Sequence, residues 1–136
     1  MLRFAVGSLL LAASVSVAAE AVPKEISLGK LHQKYVKAGY SSMDLPEFEK
    51  RVAFSGVAIS EPTKGFRRGP ASAGGGALLK AGVAGSENEL ARLVARDAAH
   101  EAKMEALKAG SEFKAVCTVA FASGTGYIPL QDCVFR

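Results

Sequence analysis

The chain has 136 residues, of which 49% are hydrophobic and 22% are charged. That length is typical of a single domain, and a composition near the average of soluble proteins makes collagen, coiled coil and wholesale disorder poor fits. The formal net charge of +4 is too small to require a polyanionic partner by itself.

The first 19 residues have the architecture of a secretory signal peptide. Arg3 supplies a positive charge, an uncharged apolar run begins at Phe4, and small residues end it at Ala19. We predict cleavage after Ala19, with Ala21 as the alternative site. The run is shorter than the roughly 20 apolar residues of a membrane-spanning helix, so we expect a periplasmic or secreted protein without stable membrane insertion. The mature chain keeps 16 basic and 13 acidic residues, a formal charge of +3.

Cys117 and Cys133 are the two cysteines of the chain, and an even count in an exported protein favours a disulfide. Segments rich in Val, Phe and Thr flank the turn Ser123-Gly124-Thr125-Gly126, which predicts a β-hairpin over residues 112–135. The midpoint between the cysteines is Thr125. A register symmetric about Thr125 would oppose the cysteines and form three further pairs: Val116 with Val134, Ala120 with Leu130, and Ala122 with Ile128.

A metal pair or a redox-active pair is the alternative for the two cysteines. Against it, the chain has no C-x-x-C motif, and neither His32 nor His100 has an evident place near the hairpin. We expect both histidines to be ordinary surface residues.

An amphipathic helix is predicted over residues 26–38. Apolar residues recur at helical spacing, Ser27 can cap the amino end, and Gly39 follows the carboxyl end; the apolar stripe is Leu28, Leu31 and Tyr35. We expect this stripe to cover the end of a sheet rather than to bind a partner.

Two strands are predicted after this helix. Within residues 50–60 the apolar side chains change sides at Gly56, and a β-bulge there would reconcile the two registers: Val52 and Phe54 before it, Val57 and Ile59 after it. The second strand lies within residues 76–85 and carries Leu79, Ala81 and Val83.

Residues 86–110 allow two interpretations. The capping box Ser86-Glu87-Asn88-Glu89 and the Ala-rich run after it favour one long helix. In the other interpretation residues 88–95 form a strand with Leu90 and Val94 on one face, and only residues 97–109 are helical, ended by Gly110. Local propensity favours the long helix.

Five stretches of the mature chain together resemble a known family. They are Leu31 and Tyr35 of the helix, KRVAFSGV at 50–57, LKAGSEF at 107–113, Cys117, and YIPLQDC at 127–133. Over about residues 27–136 the chain resembles exported bacterial OB-fold proteins of the tRNA-anticodon-binding-like family.

The resemblance implies a mainly β protein with a five-stranded OB-fold barrel, an N-terminal amphipathic helix, and a helix between strands 3 and 4. It therefore implies the divided interpretation, with residues 88–95 as the third strand. The expected organisation is a signal peptide at 1–19, an N-terminal helical extension at 20–49 and an OB-fold domain at 50–136.

No motif identifies a catalytic centre. The mature chain lacks G-x-S-x-G, H-E-x-x-H and Walker-type sequences. We therefore predict a protein without enzymatic activity, without a cofactor and without a metal.

The candidate ligand-binding residues are Lys64, Phe66, Arg67 and Arg68. They lie in the loop after the first strand, beside the face of strands two and three on which OB-folds bind oligonucleotides and oligosaccharides. Phe66 can stack on a ring while the three cations contact phosphate or carboxylate groups. The alternative is a solvated loop without a ligand.

These features favour a small exported binding module for an anionic glycan, peptide or protein of the cell envelope. The alternative is a structural or accessory subunit of an envelope assembly, which would dock through the amphipathic helix or an open barrel edge. Export argues against nucleic acid as the partner. The oligomeric state does not follow from the sequence.

Overall fold

The computed structural model describes residues 21–63 and 76–136. Within those ranges no helix is long and apolar enough to cross a membrane. The predicted signal peptide at 1–19 and the predicted ligand-binding residues Lys64, Phe66, Arg67 and Arg68 lie outside the described residues. The elements are α1 (Leu28–Lys37), a 3-10 turn (Ser42–Asp44), β1 (Arg51–Ala58), β2 (Leu79–Gly82), β3 (Ala91–Ala95), α2 (Ala98–Glu105), β4 (Glu112–Val119) and β5 (Ile128–Phe135).

The five strands form a closed barrel in the order β1-β2-β3-β5-β4. Neighbouring strands are antiparallel, except that β3 and β5 are parallel. The helix α2 connects β3 to β4. This is the OB-fold arrangement, so the predicted fold class is confirmed.

Residues 86–110 take the divided form. In β3, Ala91, Leu93 and Ala95 face the core, whereas Val94 lies half-buried on the other face. Leu90, which precedes the strand, packs against the core, so it does not share a face with Val94 as predicted. The inward residues are small or aliphatic, and the segment pairs with β2 on one side and with β5 on the other, which closes the barrel. Strand pairing therefore outweighs the helix propensity of the sequence.

The helix α2 is shorter than predicted. Asp97 caps its start by accepting the backbone N–H of His100 at 2.9 Å, but the helix ends at Glu105 instead of residue 109. The chain then turns back into β4 through Gly110, which has a φ of 85°. Its N–H donates to Ala58 O at 2.8 Å, so this turn is fastened to β1.

The helix α1 places its predicted stripe in the core. Leu28, Leu31 and Tyr35 are at most 1% exposed and belong to the same buried cluster as the inward residues of the strands. Ser27 caps the amino end, and Gly39 follows the carboxyl end with a φ of 69°. The stripe is thus part of the protein's own interior.

The bulge predicted at Gly56 is wrong. β1 keeps one register with β4 from the pair Arg51 and Thr118 to the pair Val57 and Glu112. A Cβ on Gly56 would lie 2.9 Å from Cζ of Phe113. The glycine is therefore needed to make room for the Phe113 ring and does not bend the strand.

The disulfide between Cys117 and Cys133 is present, with Cα atoms 4.2 Å apart and both residues fully buried. The predicted pair Val116 and Val134 forms as well. The other two predicted pairs are wrong. Ala120 donates its N–H to Pro129 O at 3.0 Å, and the N–H of Ala122 is bound to Ser42 Oγ at 2.7 Å.

The register changes because β5 contains one extra residue, Asp132. Beyond the disulfide, Thr118 pairs with Gln131, and β3 shows the matching shift against β5. Leu130 and Cys133 both face the core although they are three residues apart, a spacing that strict alternation cannot place on one side of a strand. Asp132, with a φ of 55°, is the bulge that allows it.

Gly56→Ala should lower the free energy of unfolding by about 1–3 kcal/mol, because the added methyl group displaces Phe113 in a packed core. Denaturant unfolding of the oxidised protein measures the change. Gly29→Ala is the matched control, since a Cβ there meets only Ser27 Oγ and Val83 Cγ1 at 3.7 and 3.8 Å. The control should be neutral or stabilising. Equal stability of Gly56→Ala and the wild type would contradict the close packing.

Candidate ligand-binding face

A mixed cationic and apolar surface covers the outer side of β2 and β3. Its members are all half-buried, and they alternate with the core residues of the same strands. Together with the tyrosine that precedes β5 they form what we term the β2–β3 face: Leu78, Lys80, Arg92, Val94 and Tyr127.

Lys80 and Arg92 lie directly opposite each other on the antiparallel pair β2 and β3. Like charges in this position repel. Glu89 compensates one of them, because its carboxylate forms an ion pair with the Arg92 guanidinium. The hydrogen bond from Arg92 to Glu89 raises the pKa of the Arg92 guanidinium, although burial by itself would lower it. Lys80 makes no ion pair with any described residue, so its charge is available at the surface.

The ring of Tyr127 supplies the aromatic part of the face. The guanidinium carbon of Arg92 lies 3.9 Å from the centroid of this ring, which is a cation–π distance. Arg92 is therefore held between a carboxylate and an aromatic ring. A side chain restrained in this way loses less conformational entropy when it binds a ligand.

The loop that carries Tyr127 is fastened to α1. The hydroxyl of Tyr35 donates to Thr125 O at 2.7 Å, and Thr125 Oγ1 donates to Tyr127 O at 2.8 Å. His32 Nε2 lies 2.9 Å from Gly126 O. The helix thus positions the turn from which the aromatic ring projects.

The prediction that neither histidine lies near the hairpin is wrong. His32 contacts the hairpin loop, as described above. His100 is half-buried, and its Nδ1 accepts the backbone N–H of Phe135 in β5 at 3.1 Å. Both histidines therefore hold the hairpin in place through single hydrogen bonds.

The predicted site residues Lys64, Phe66, Arg67 and Arg68 lie outside the described residues. The residues on either side of their loop meet, because the backbones of Thr63 and Leu78 exchange hydrogen bonds of 3.0 and 3.4 Å. Thr63 and Leu78 therefore lie together at the edge of the β2–β3 face.

No member of the face is among the predicted site residues, so sequence reasoning misses its cationic and aromatic side chains: Lys80, Arg92 and Tyr127. Arg92 lies in the segment whose composition favours a helix, so the sequence alone does not predict that it lies on a strand. The signal that identifies Lys80 and Arg92 is their alternation with Leu79, Ala81, Ala91 and Leu93, and it is informative only once both strands are established.

A second charged cluster surrounds the β5 bulge. Asp132 accepts two hydrogen bonds from Arg96, at 2.9 and 3.1 Å, and its backbone oxygen accepts one from Arg51 at 2.5 Å. The hydrogen bonds from Arg96 lower the pKa of the Asp132 carboxyl more than partial burial raises it, and the charge of Arg51 lowers it further. Within residues 21–63 and 76–136 no group of three His, Cys, Asp or Glu side chains is arranged to hold a metal.

A proposed nucleic acid-binding lipoprotein of Klebsiella pneumoniae subsp. pneumoniae is structurally similar to this chain. The TM-score is 0.54 and the sequence identity is 19%, over 83% of this chain and 91% of that one. At this identity the similarity establishes a shared fold and not a shared function. No protein-family model and no curated protein matches the chain.

Asp132→Asn should destabilise the protein near neutral pH, and the stability gap to the wild type should narrow as the pH falls below about 4. The folded state lowers the pKa of Asp132, so its contribution is present above the unfolded pKa and is lost as the pH falls through the folded one. Denaturant unfolding at several pH values measures the gap.

The control for this prediction is the same substitution in an Arg96→Gln background. There Asp132→Asn should have a smaller effect, because the two changes act on one interaction. If the difference in unfolding free energy between Asp132→Asn and the wild type stays constant from neutral pH down to about 3, Asp132 does not have a lowered pKa in the folded state.

Proposed function

We propose that this protein is an exported, non-catalytic OB-fold binding module whose β2–β3 face recognises an anionic glycan, peptide or protein of the cell envelope. The observation that carries the proposal is the direct opposition of Lys80 and Arg92 beside the Tyr127 ring. OB-folds bind their ligands on this face. Two neighbouring cations and one aromatic ring suit a ligand with phosphate or carboxylate groups next to an apolar or sugar ring.

Electrostatics favour an anionic ligand over a neutral one. Lys80 and Arg92 repel each other, and Glu89 is engaged with Arg92 alone. An anion placed between the two cations removes the repulsion and gains charge-assisted hydrogen bonds from both. Thr63 and Leu78, on either side of the segment that carries Lys64, Phe66, Arg67 and Arg68, pair at the edge of this face, and in the proposed function the cations of that segment extend the site.

The proposed location is the periplasm or the extracellular space. The buried disulfide between Cys117 and Cys133 is typical of proteins that fold in an oxidising compartment. The signal peptide at 1–19 and the membership of the tRNA-anticodon-binding-like family are parts of the same proposal.

The alternative of a structural or accessory subunit has less support. It requires either the apolar stripe of α1 or an open barrel edge as a docking surface. In the structure the stripe is buried in the core, and β1 pairs with β4 to close the barrel. Neither surface is available in the described part of the chain.

Single-stranded nucleic acid is a second candidate ligand. The pair of Arg92 and Tyr127 suits base stacking and phosphate binding, and the structurally similar Klebsiella lipoprotein is a proposed nucleic acid-binding protein. Export argues against this ligand, since chromosomal DNA and tRNA remain in the cytosol.

Replacing both cations of the face, as Lys80→Ala with Arg92→Ala, should weaken binding of an anionic polymer by at least about tenfold, because two charge-assisted contacts are lost. The probes are oligogalacturonate, poly-L-glutamate and a short oligothymidylate, titrated at low and at moderate salt. Lys103→Ala on α2 is the control, since it removes one positive charge from an exposed position outside the face.

The pattern of binding distinguishes the ligands. Preferential, salt-sensitive binding of the glycan or the acidic peptide supports the proposal, and preferential binding of the oligothymidylate supports the second candidate. Unchanged affinity in the double variant for every probe would contradict a site on the β2–β3 face.

A further inference from the structure

A groove of about 730 Å³ lies between the segment that precedes α1 and the turn that precedes β1. Its apolar lining comes from Pro23, Ile26, Pro46 and Val52, and no member of the β2–β3 face borders it. The volume falls in the range of small-molecule sites and exceeds what a lone phosphate group fills.

Backbone pairing holds the outer wall of the groove in place. The N–H of Ile26 donates to Ala53 O at 2.8 Å, and Glu25 forms a parallel bridge with Ala53. The carboxylate of Glu25 accepts a hydrogen bond from Ser55 Oγ at 2.9 Å. The groove is therefore formed before any ligand binds.

Positive charge predominates around the groove. Five cationic and two acidic side chains line it. The acidic ones are already engaged, Glu25 with Ser55 and Glu47 with Lys34. The remaining lysines are exposed and make no ion pair with a described residue: Lys24, Lys30 and Lys50.

The amino end of α1 adds to this positive potential. Ser27 and Lys30 border the groove, and the first turn of the helix contains no acidic residue. No carboxylate of the first turn therefore offsets the partial positive charge of the helix dipole at this end. Lysines and helix terminus both favour an anion at the same place.

We propose that this groove binds an anionic phospholipid, with the headgroup phosphate at Lys24, Lys30 and Lys50 and part of an acyl chain along the apolar lining. The apolar lining argues for an amphiphile, since a purely polar anion would leave the accessible surfaces of Pro23, Ile26 and Pro46 without a matching surface. The proposal rests on export to the envelope and is independent of the ligand of the β2–β3 face.

The test is an NMR titration of oxidised residues 20–136 with dihexanoyl phosphatidylglycerol below its micelle concentration. We expect amide shifts clustered at Ile26, Lys50 and Val52. Dihexanoyl phosphatidylcholine, which has the same chains and no net charge, should bind about tenfold more weakly. Glycerol phosphate, which has the charge and no chains, should bind about tenfold more weakly as well. Equal affinity for glycerol phosphate would overturn the lipid assignment in favour of a simple anion site.

Two triple variants complete the test. Lys24→Gln, Lys30→Gln and Lys50→Gln together should reduce the affinity for phosphatidylglycerol by about tenfold or more. The matched control is Lys37→Gln, Lys103→Gln and Lys114→Gln, which removes the same charge from exposed positions outside the groove and should bind as the wild type does. An equal loss in both variants would overturn the site, as would unchanged binding in the first.

A further variant separates this proposal from the proposed function. Lys80→Ala with Arg92→Ala should leave phosphatidylglycerol binding unchanged while it weakens binding of the anionic polymers. Loss of lipid binding in that variant would place the lipid on the β2–β3 face and overturn the groove assignment.

Discussion

One extra residue in β5, Asp132, sets the register on which the barrel depends. Leu130 and Cys133 both have to face the core, although they are three residues apart, and the bulge makes this compatible with a continuous strand. Because the disulfide fixes Cys133 to Cys117, the one-residue change of register affects the part of β5 nearer the hairpin loop. There it places Pro129 opposite Arg92, and the ring of Tyr127 comes within 3.9 Å of the Arg92 guanidinium.

The same bulge organises charge on the outside of the barrel. Asp132 engages Arg51 and Arg96, so these two arginines fasten β1, the end of β3 and β5 to one another. Arg92 and Lys80 have a different environment, since Glu89 pairs with Arg92 and Lys80 makes no ion pair with a described residue. Cations without an acidic partner in the described part of the chain lie on the β2–β3 face, at Lys80, and in the groove beside α1, at Lys24, Lys30 and Lys50. The helix α1 serves both, because its Tyr35 anchors the loop of Tyr127 and its amino end borders the groove.

Much of the fold follows from local sequence patterns. The stripe of α1, the disulfide and the hairpin are predictable because spacing within one short segment determines them. Three features are not, since they depend on contacts between distant segments. The sequence pattern predicts a bulge at Gly56, because it does not reveal that the Phe113 ring packs against this glycine. The register of β5 between Cys133 and the hairpin loop depends on which of its side chains enter the core. The strand at Ala91–Ala95 forms although its local sequence favours a helix. For the site, the OB-fold resemblance points to the face of β2 and β3, and the opposition of Lys80 and Arg92 on that face arises only through the pairing of the two strands.

The most direct test of the bulged β5 register is a measurement of scalar couplings across hydrogen bonds in the isotope-labelled, oxidised protein. The bulged register requires a coupling from the Ala120 amide to the Pro129 carbonyl, because the nitrogen and the oxygen lie 3.0 Å apart. A coupling from Ala120 to the carbonyl of Leu130 would show a hairpin symmetric about Thr125, without the bulge. It would contradict both the register of β5 and the placement of Tyr127 beside Arg92.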